Sequence, residues 1–259
     1  MPGLFDSWFG KNHKHSTEEV CKTYQPSAEL VEEIESLPLV QRLLTDNSSI
    51  AFRPSLAPLT EEERSDPENY WQFPGGLGVP KNDKSENLDT WKNQFVRGTT
   101  LYGQHKIEYA LQSFNEFDNV LINVVRFGDA MCGHNGLVHG GLISAFFDDS
   151  FGTVFLLASK GQNTGVTANL NINYRAPMPA GSTVAFVLWI DREEGSKKVF
   201  LKAEARSIPT EESDATLDET ATIGEKAIGP GSIKFAEATA LFIKLDTKRV
   251  EKMAEQKHS

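Results

Sequence analysis

The stretch Gly133-His134-Asn135-Gly136-Leu137-Val138-His139-Gly140-Gly141-Leu142-Ile143-Ser144-Ala145-Phe146-Phe147-Asp148-Asp149-Ser150-Phe151-Gly152 sets two adjacent carboxylates inside an apolar run that opens on a glycine pair. Burying a carboxylate without partners costs several kcal/mol, so acids at such positions need a reason to be there. Residues 141–158 make about five turns at ~3.6 residues per turn, with Leu, Ile, Phe and Ala on nearly every side. The pattern predicts a central helix wrapped by other elements, with an acid directed into a cleft.

The remaining composition narrows the classes. The chain has 259 residues, 39% of them hydrophobic, enough for one or two domains with a proper core. A formal net charge of -10 argues against a general nucleic-acid binder, which carries a basic footprint. Cys21 and Cys132 stand far apart and outside any CxxC spacing, so neither a disulfide scaffold nor a structural zinc site is expected. Such cysteine usage suits a reducing compartment, and a cytoplasmic location is expected, with a mitochondrial one as the alternative. The apolar runs stay short of 18 residues, and no transmembrane segment is expected. Leu4, Phe5, Trp8 and Phe9 would share one face of a very short helix, which reads as a loosely ordered terminus before it reads as a membrane contact.

Composition changes near residue 100. Upstream, residues 27–44 are helix-like around Pro38. Thr60 with Glu63 has capping-box spacing, residues 85–96 read as a short helix, and 73–80 is turn chemistry. Downstream, residues 106–113 and 119–127 read as two strands about a turn. Beyond the central helix, 166–174 alternates apolar residues with Thr167, Asn169, Asn171 and Asn173, which the period of a strand places on one polar face. Strands are also expected at 183–190, 198–208 and 233–245, and an acidic exposed loop at 209–225. The order strand, strand, long helix, four strands predicts an α+β fold, a curved antiparallel sheet around one helix. The expected organisation is a helical extension over 1–100, a sheet-and-helix domain over 101–246 and a charged tail over 247–259.

His139-Gly140-Gly141 stands nine residues before Asp148, Gly152 four after it, and Thr167-Ala168-Asn169-Leu170-Asn171-Ile172-Asn173-Tyr174 follows with Arg175 and Pro177. In this order and spacing the chain resembles the hotdog-fold acyl-CoA thioesterases, in particular the THEM4 and THEM5 or PaaI-type branch and its fungal relatives. The resemblance covers roughly residues 100–246, and the first hundred residues resemble only that branch's variable extensions. It implies a hotdog fold, hydrolysis of acyl-CoA to fatty acid and coenzyme A, no cofactor and no metal. It also implies a homodimer, with a dimer of dimers as a further assembly. Residue by residue, it makes the Gly140 N–H the group that polarises the thioester carbonyl and His139 the neighbour that shapes the turn. Asp148 becomes the acid that activates water or attacks the thioester, and Thr167 a water-ordering residue contributed by the opposite subunit. Gly141, Asn169 and Asn171 join the substrate-binding set.

Chemistry supports these assignments independently. Free N–H groups at the positive end of a helix stabilise an oxygen on which charge develops. A tight strand-to-helix turn would also ask for glycine on its own account, and a histidine can simply tie such a turn. Asp149 is turned about 100 degrees from Asp148 on a helix and cannot take the same position. Thr167 can hold water against a carboxylate, or be merely a strand threonine. Arg175, Lys197 and Lys198 lie near strand ends where they could gather for coenzyme A phosphates, although lysine in a hairpin turn is commonly solvated. Phe151, Phe155 and Leu156 are candidates to line an acyl tunnel. No GxGxxG follows the first strand and no GxxxxGK[ST] occurs, so nucleotide chemistry finds no support. A non-catalytic acyl-CoA or lipid-binding protein using the same cleft is the alternative.

Overall fold

The computed structural model describes residues 26–46, 49–52, 101–159, 164–211, 217 and 219–245. The short helices expected around 60–63 and 85–96, the 73–80 turns, the apolar N-terminal face and the charged tail lie outside these residues.

Proline explains the first two elements. A proline inside a helix removes a donor and crowds the preceding turn, so the helix-like stretch around Pro38 divides. Helix α1, Ala28–Glu35, is capped by the Ser27 hydroxyl, which accepts from the Leu30 N–H at 3.2 Å. Helix α2, Pro38–Thr45, starts on the proline, whose missing N–H would have lacked a partner there anyway. Next come β1 (Ser49–Phe52), β2 (Ile107–Asn115), β3 (Val120–Phe127), the small hairpin β4 (Cys132–His134) and β5 (Leu137–Val138), and the long helix α3 (Gly140–Ala158). The chain continues through β6 (Thr164–Tyr174), β7 (Thr183–Glu194), β8 (Lys198–Ser207), the short helix α4 (Ile223–Ile228) and β9 (Lys234–Leu245). Helix α4 falls in the region expected to be an acidic loop. Its signal was present, because Thr222 and Glu225 form a reciprocal capping box.

Seven strands make one sheet in the order β1-β2-β3-β7-β8-β9-β6, every neighbouring pair antiparallel. Side chains alternate between the faces of a strand, and β7 shows the consequence. Val184, Phe186 and Leu188 join the core beneath α3, whereas Ala185, Val187 and Trp189 join a second core with Ile34, Leu39, Val40 and Leu43 from α1 and α2. With both faces buried, the strand reads as an almost continuous apolar run. Under α3, Phe127 meets Phe146 edge-on at 5.5 Å and Phe147 meets Phe186 at 5.0 Å. Helix α3 is long and apolar enough to cross a membrane by length and composition, and its packing against the sheet accounts for that composition.

The architecture corrects one expectation. The arrangement of sheet and helix is hotdog-like and α+β, but the sheet is neither closed nor strongly curled around α3. Among the described residues its end strands are β1 and β6. Helices on the second face bury β2, β3 and β7 from behind, so the sheet gains its burial from a layer on each side rather than by wrapping.

Candidate functional site

The glycine pair and His139 explain one another. His139 is the N-cap of α3, in extended backbone, and its Nδ1 accepts from the Gly141 N–H at 2.9 Å. That bond requires Nδ1 unprotonated, so a neutral ring carries its proton on Nε2. A Cβ on Gly133 would come within 2.5 Å of the His139 ring, and one on Gly141 within 2.9 Å. These glycines therefore make room for the imidazole. Gly140 occupies the first helical position, where the N–H has no intrahelical acceptor. Its carbonyl lies 2.7 Å from the Tyr174 hydroxyl and 3.0 Å from the Ser144 hydroxyl.

Two turns further along α3, the half-buried Asp148 accepts from the Thr167 hydroxyl at 2.8 Å through Oδ1. The donor comes from the same chain, not from an opposite subunit. A bulge in β6 makes this possible. Thr167 pairs with Phe242, yet Asn169 pairs with Leu241, so Ala168 is the extra residue. Thr167 consequently shares the helix-facing side with Phe242 of the core, while Asn169, Asn171 and Asn173 share the other side with Leu241, Thr239 and Glu237. Simple alternation had put all four on one face.

Asn169 instead lines a shallow groove of about 230 Å³ on the outer face with Arg192, Phe200 and Lys202. The three candidate phosphate-binding cations do not gather. Lys198 lies across Ile243 from Val166, and Lys197 precedes it, whereas Arg175 follows Tyr174 at the opposite end of β6. Nine residues of strand at ~3.3 Å each put those ends about 30 Å apart. Arg175 is ion-paired with Glu237, and that bond holds the Glu237 carboxyl below its ordinary range. Asp149 is half-buried, and its backbone carbonyl accepts from the Thr153 hydroxyl. Phe151 and Phe155, named as tunnel candidates, are buried in the core, where Phe155 stacks on Phe242. Tyr174 and Ser144 were not singled out from sequence, although a serine four residues after Gly140 stands one helical turn from its carbonyl.

The turn glycine at the head of α3 and the threonine-held carboxylate thus stand about two turns apart on one helix. Residues 135–211 match the family described as the thioesterase superfamily. The acyl-coenzyme A thioesterase THEM4 of Mus musculus is 31% identical over 142 residues, 55% of this chain and 50% of that protein. Its Bos taurus counterpart is 33% identical over 145 residues, 55% of this chain and 48% of that protein. The chain thus spans about half the length of the curated relatives it matches. Among solved structures, the E. coli PaaI protein from the phenylacetic acid degradation operon aligns at 12% identity with a TM-score of 0.37, covering 50% of this chain and 75% of that one. The chain is related to the thioesterase superfamily, and its similarity to the THEM4 proteins is of low to moderate identity over about half of each chain.

Proposed function

We propose that this protein hydrolyses acyl-CoA thioesters to free fatty acid and coenzyme A, acting as a homodimer whose sites are each built from two copies. The observation that carries this reading is the Asp148–Thr167 pair. One carboxylate oxygen is engaged by the hydroxyl, and the other is left to take a proton from water or to attack the thioester carbon. As a base, Asp148 delivers hydroxide to the carbonyl and the coenzyme A thiolate leaves. As a nucleophile, it forms an acyl anhydride with loss of the same thiolate, and water then cleaves the anhydride. In either route the carbonyl oxygen becomes an oxyanion, for which the Gly140 N–H at the head of α3 is the donor.

The two-copy site follows from distance. Gly140 and Asp148 are eight residues apart on one helix, about 12 Å at ~1.5 Å per residue, too far for both to serve one carbonyl. Strand β6 supplies the remedy. Among the described residues it is an edge strand of eleven residues carrying exposed Val166 and Tyr174. Antiparallel pairing of two β6 edges about a two-fold axis lays the Thr167 end of one copy beside the Tyr174 and Gly140 end of the other. Asp148 and Thr167 of one copy then face the Gly140 of its partner, with the acyl chain between copies rather than in the phenylalanine-filled core.

Purified protein incubated with a panel of acyl-CoAs and a thiol reagent tests the proposal. Thiol release by the wild type that is lost in Asp148→Asn supports it. Tight acyl-CoA binding without thiol release would instead mark a binding protein.

A further inference from the structure

We propose that Tyr174 is a positioning residue for the Gly140 N–H, acting with Ser144 through the Gly140 carbonyl. The proposal rests on the reading of Gly140 as the carbonyl-polarising donor. Two successive glycines leave a helix start with broad backbone freedom, and the direction of a donor N–H is only as fixed as the peptide units around it. Here the Gly140–Gly141 peptide is held at both ends. Its nitrogen donates to His139 Nδ1 at 2.9 Å, and its oxygen sits 2.7 Å from Tyr174 Oη and 3.0 Å from Ser144 Oγ. The Tyr174 ring also lies over Gly140, where a Cβ would approach it to 3.3 Å. Ser144 back-bonding to a carbonyl four residues earlier is ordinary helix chemistry. Tyr174 is different, since it comes from the end of β6 and ties the head of α3 to the strand whose other end holds Thr167 against Asp148.

Proton counting adds a constraint. The two hydroxyls are 2.6 Å from each other as well as from the carbonyl, so three oxygen contacts share two protons. When one proton bridges the hydroxyls, the other goes to Gly140 O, from either Tyr174 or Ser144. Each hydroxyl can therefore take over when the other is removed, and only loss of both leaves the carbonyl with the helical Ser144 N–H alone.

The test is steady-state thioester hydrolysis by Tyr174→Phe, Ser144→Ala and the double variant, with Asp148→Asn alongside. Each single substitution is expected to lower kcat about two- to threefold and the double about twentyfold or more, beyond the product of the singles, with KM within about twofold. Phenylalanine keeps the ring over Gly140, and melting curves confirm that the fold persists. As a second measurement, the Gly140 amide signal in 15N-labelled protein is expected to move in both single variants. A double variant no slower than the product of the singles, a loss confined to KM, or an unmoved Gly140 amide overturns the proposal while leaving the thioesterase reading intact. Wild-type protein without thiol release overturns both.

Discussion

Asp148 is the residue on which the proposed chemistry turns, and its environment states what a substitution should do. Asparagine keeps the volume and a hydrogen bond to Thr167 but loses the charge and the basicity. Asp148→Asn is expected to lower kcat by about 100-fold or more with acyl-CoA binding largely retained, as kinetics and calorimetry side by side would show. Asp149→Asn, displaced about 100 degrees around α3, should change turnover far less. The glycines make a sharper steric claim. Because a Cβ at Gly133 would sit 2.5 Å from the His139 ring, Gly133→Ala must displace the imidazole that caps α3. Losing that cap should cost about 1 kcal/mol of stability, read as a lower melting temperature together with reduced turnover.

At the scale of elements, β6 shows how one extra residue relocates a function. The bulge at Ala168 moves Thr167 to the α3 side and leaves the asparagines on the outer face. Deleting Ala168 removes the extra residue but leaves Thr167 opposite Phe242 and Asn169 opposite Leu241, so Thr167 should stay on the α3 side. Thiol release is then expected to stay well above that of Thr167→Val, with the sheet's circular dichroism retained. Helices α1 and α2 make a different prediction. Val40 is fully buried against the second face of the sheet, beside a layer that includes Val124 and Val187. Val40→Asp puts an unpaired charge there and should destabilise the protein by at least about 3 kcal/mol in urea unfolding, making this part of the N-terminal extension a structural brace.

Across the whole molecule, one network of ions binds the end of β6 to the segment that carries α4. Arg175 pairs with Glu237, Glu237 with Lys234, Lys234 with Glu204, and Glu204 with the fully buried Arg206, which also approaches Glu225. The hydrogen bond from Arg175 holds Glu237 below the ordinary value of 4.5, and the Thr222 backbone N–H does the same for Glu225. A carboxyl depressed in the folded state adds stability above its unfolded pKa and loses it as pH falls through the folded one. Unfolding measured from pH 6 downward should therefore show stability falling below about pH 4.5, with a shallower fall in Glu237→Gln. Assembly is the other property at this scale. Light scattering is expected to report a dimer, and a strictly monomeric yet fully active protein would rule out the two-copy site.

The sequence by itself was sufficient for what local chemistry dictates. A long apolar run marked α3, and alternation marked six of the sheet's seven strands to within a few residues but not β1, while the helix-like stretch around Pro38 proved to be two helices. The family resemblance carried by His139, Asp148 and Thr167 made the carboxylate and the hydroxyl candidates, although it assigned the hydroxyl to an opposite subunit. Tertiary structure alone decided the rest, because those outcomes depend on partners distant in the chain. A bulge is a mismatch between two strands, so the face taken by Thr167 depended on the register of β6 against β9. Whether the sheet wrapped α3 depended on the helices that cover its other side. Arg175 looked like a phosphate ligand until Glu237, sixty-two residues away, folded against it. Tyr174 gained its place beside Gly140 in the same way, since a strand's end meets a helix's beginning only in the folded chain.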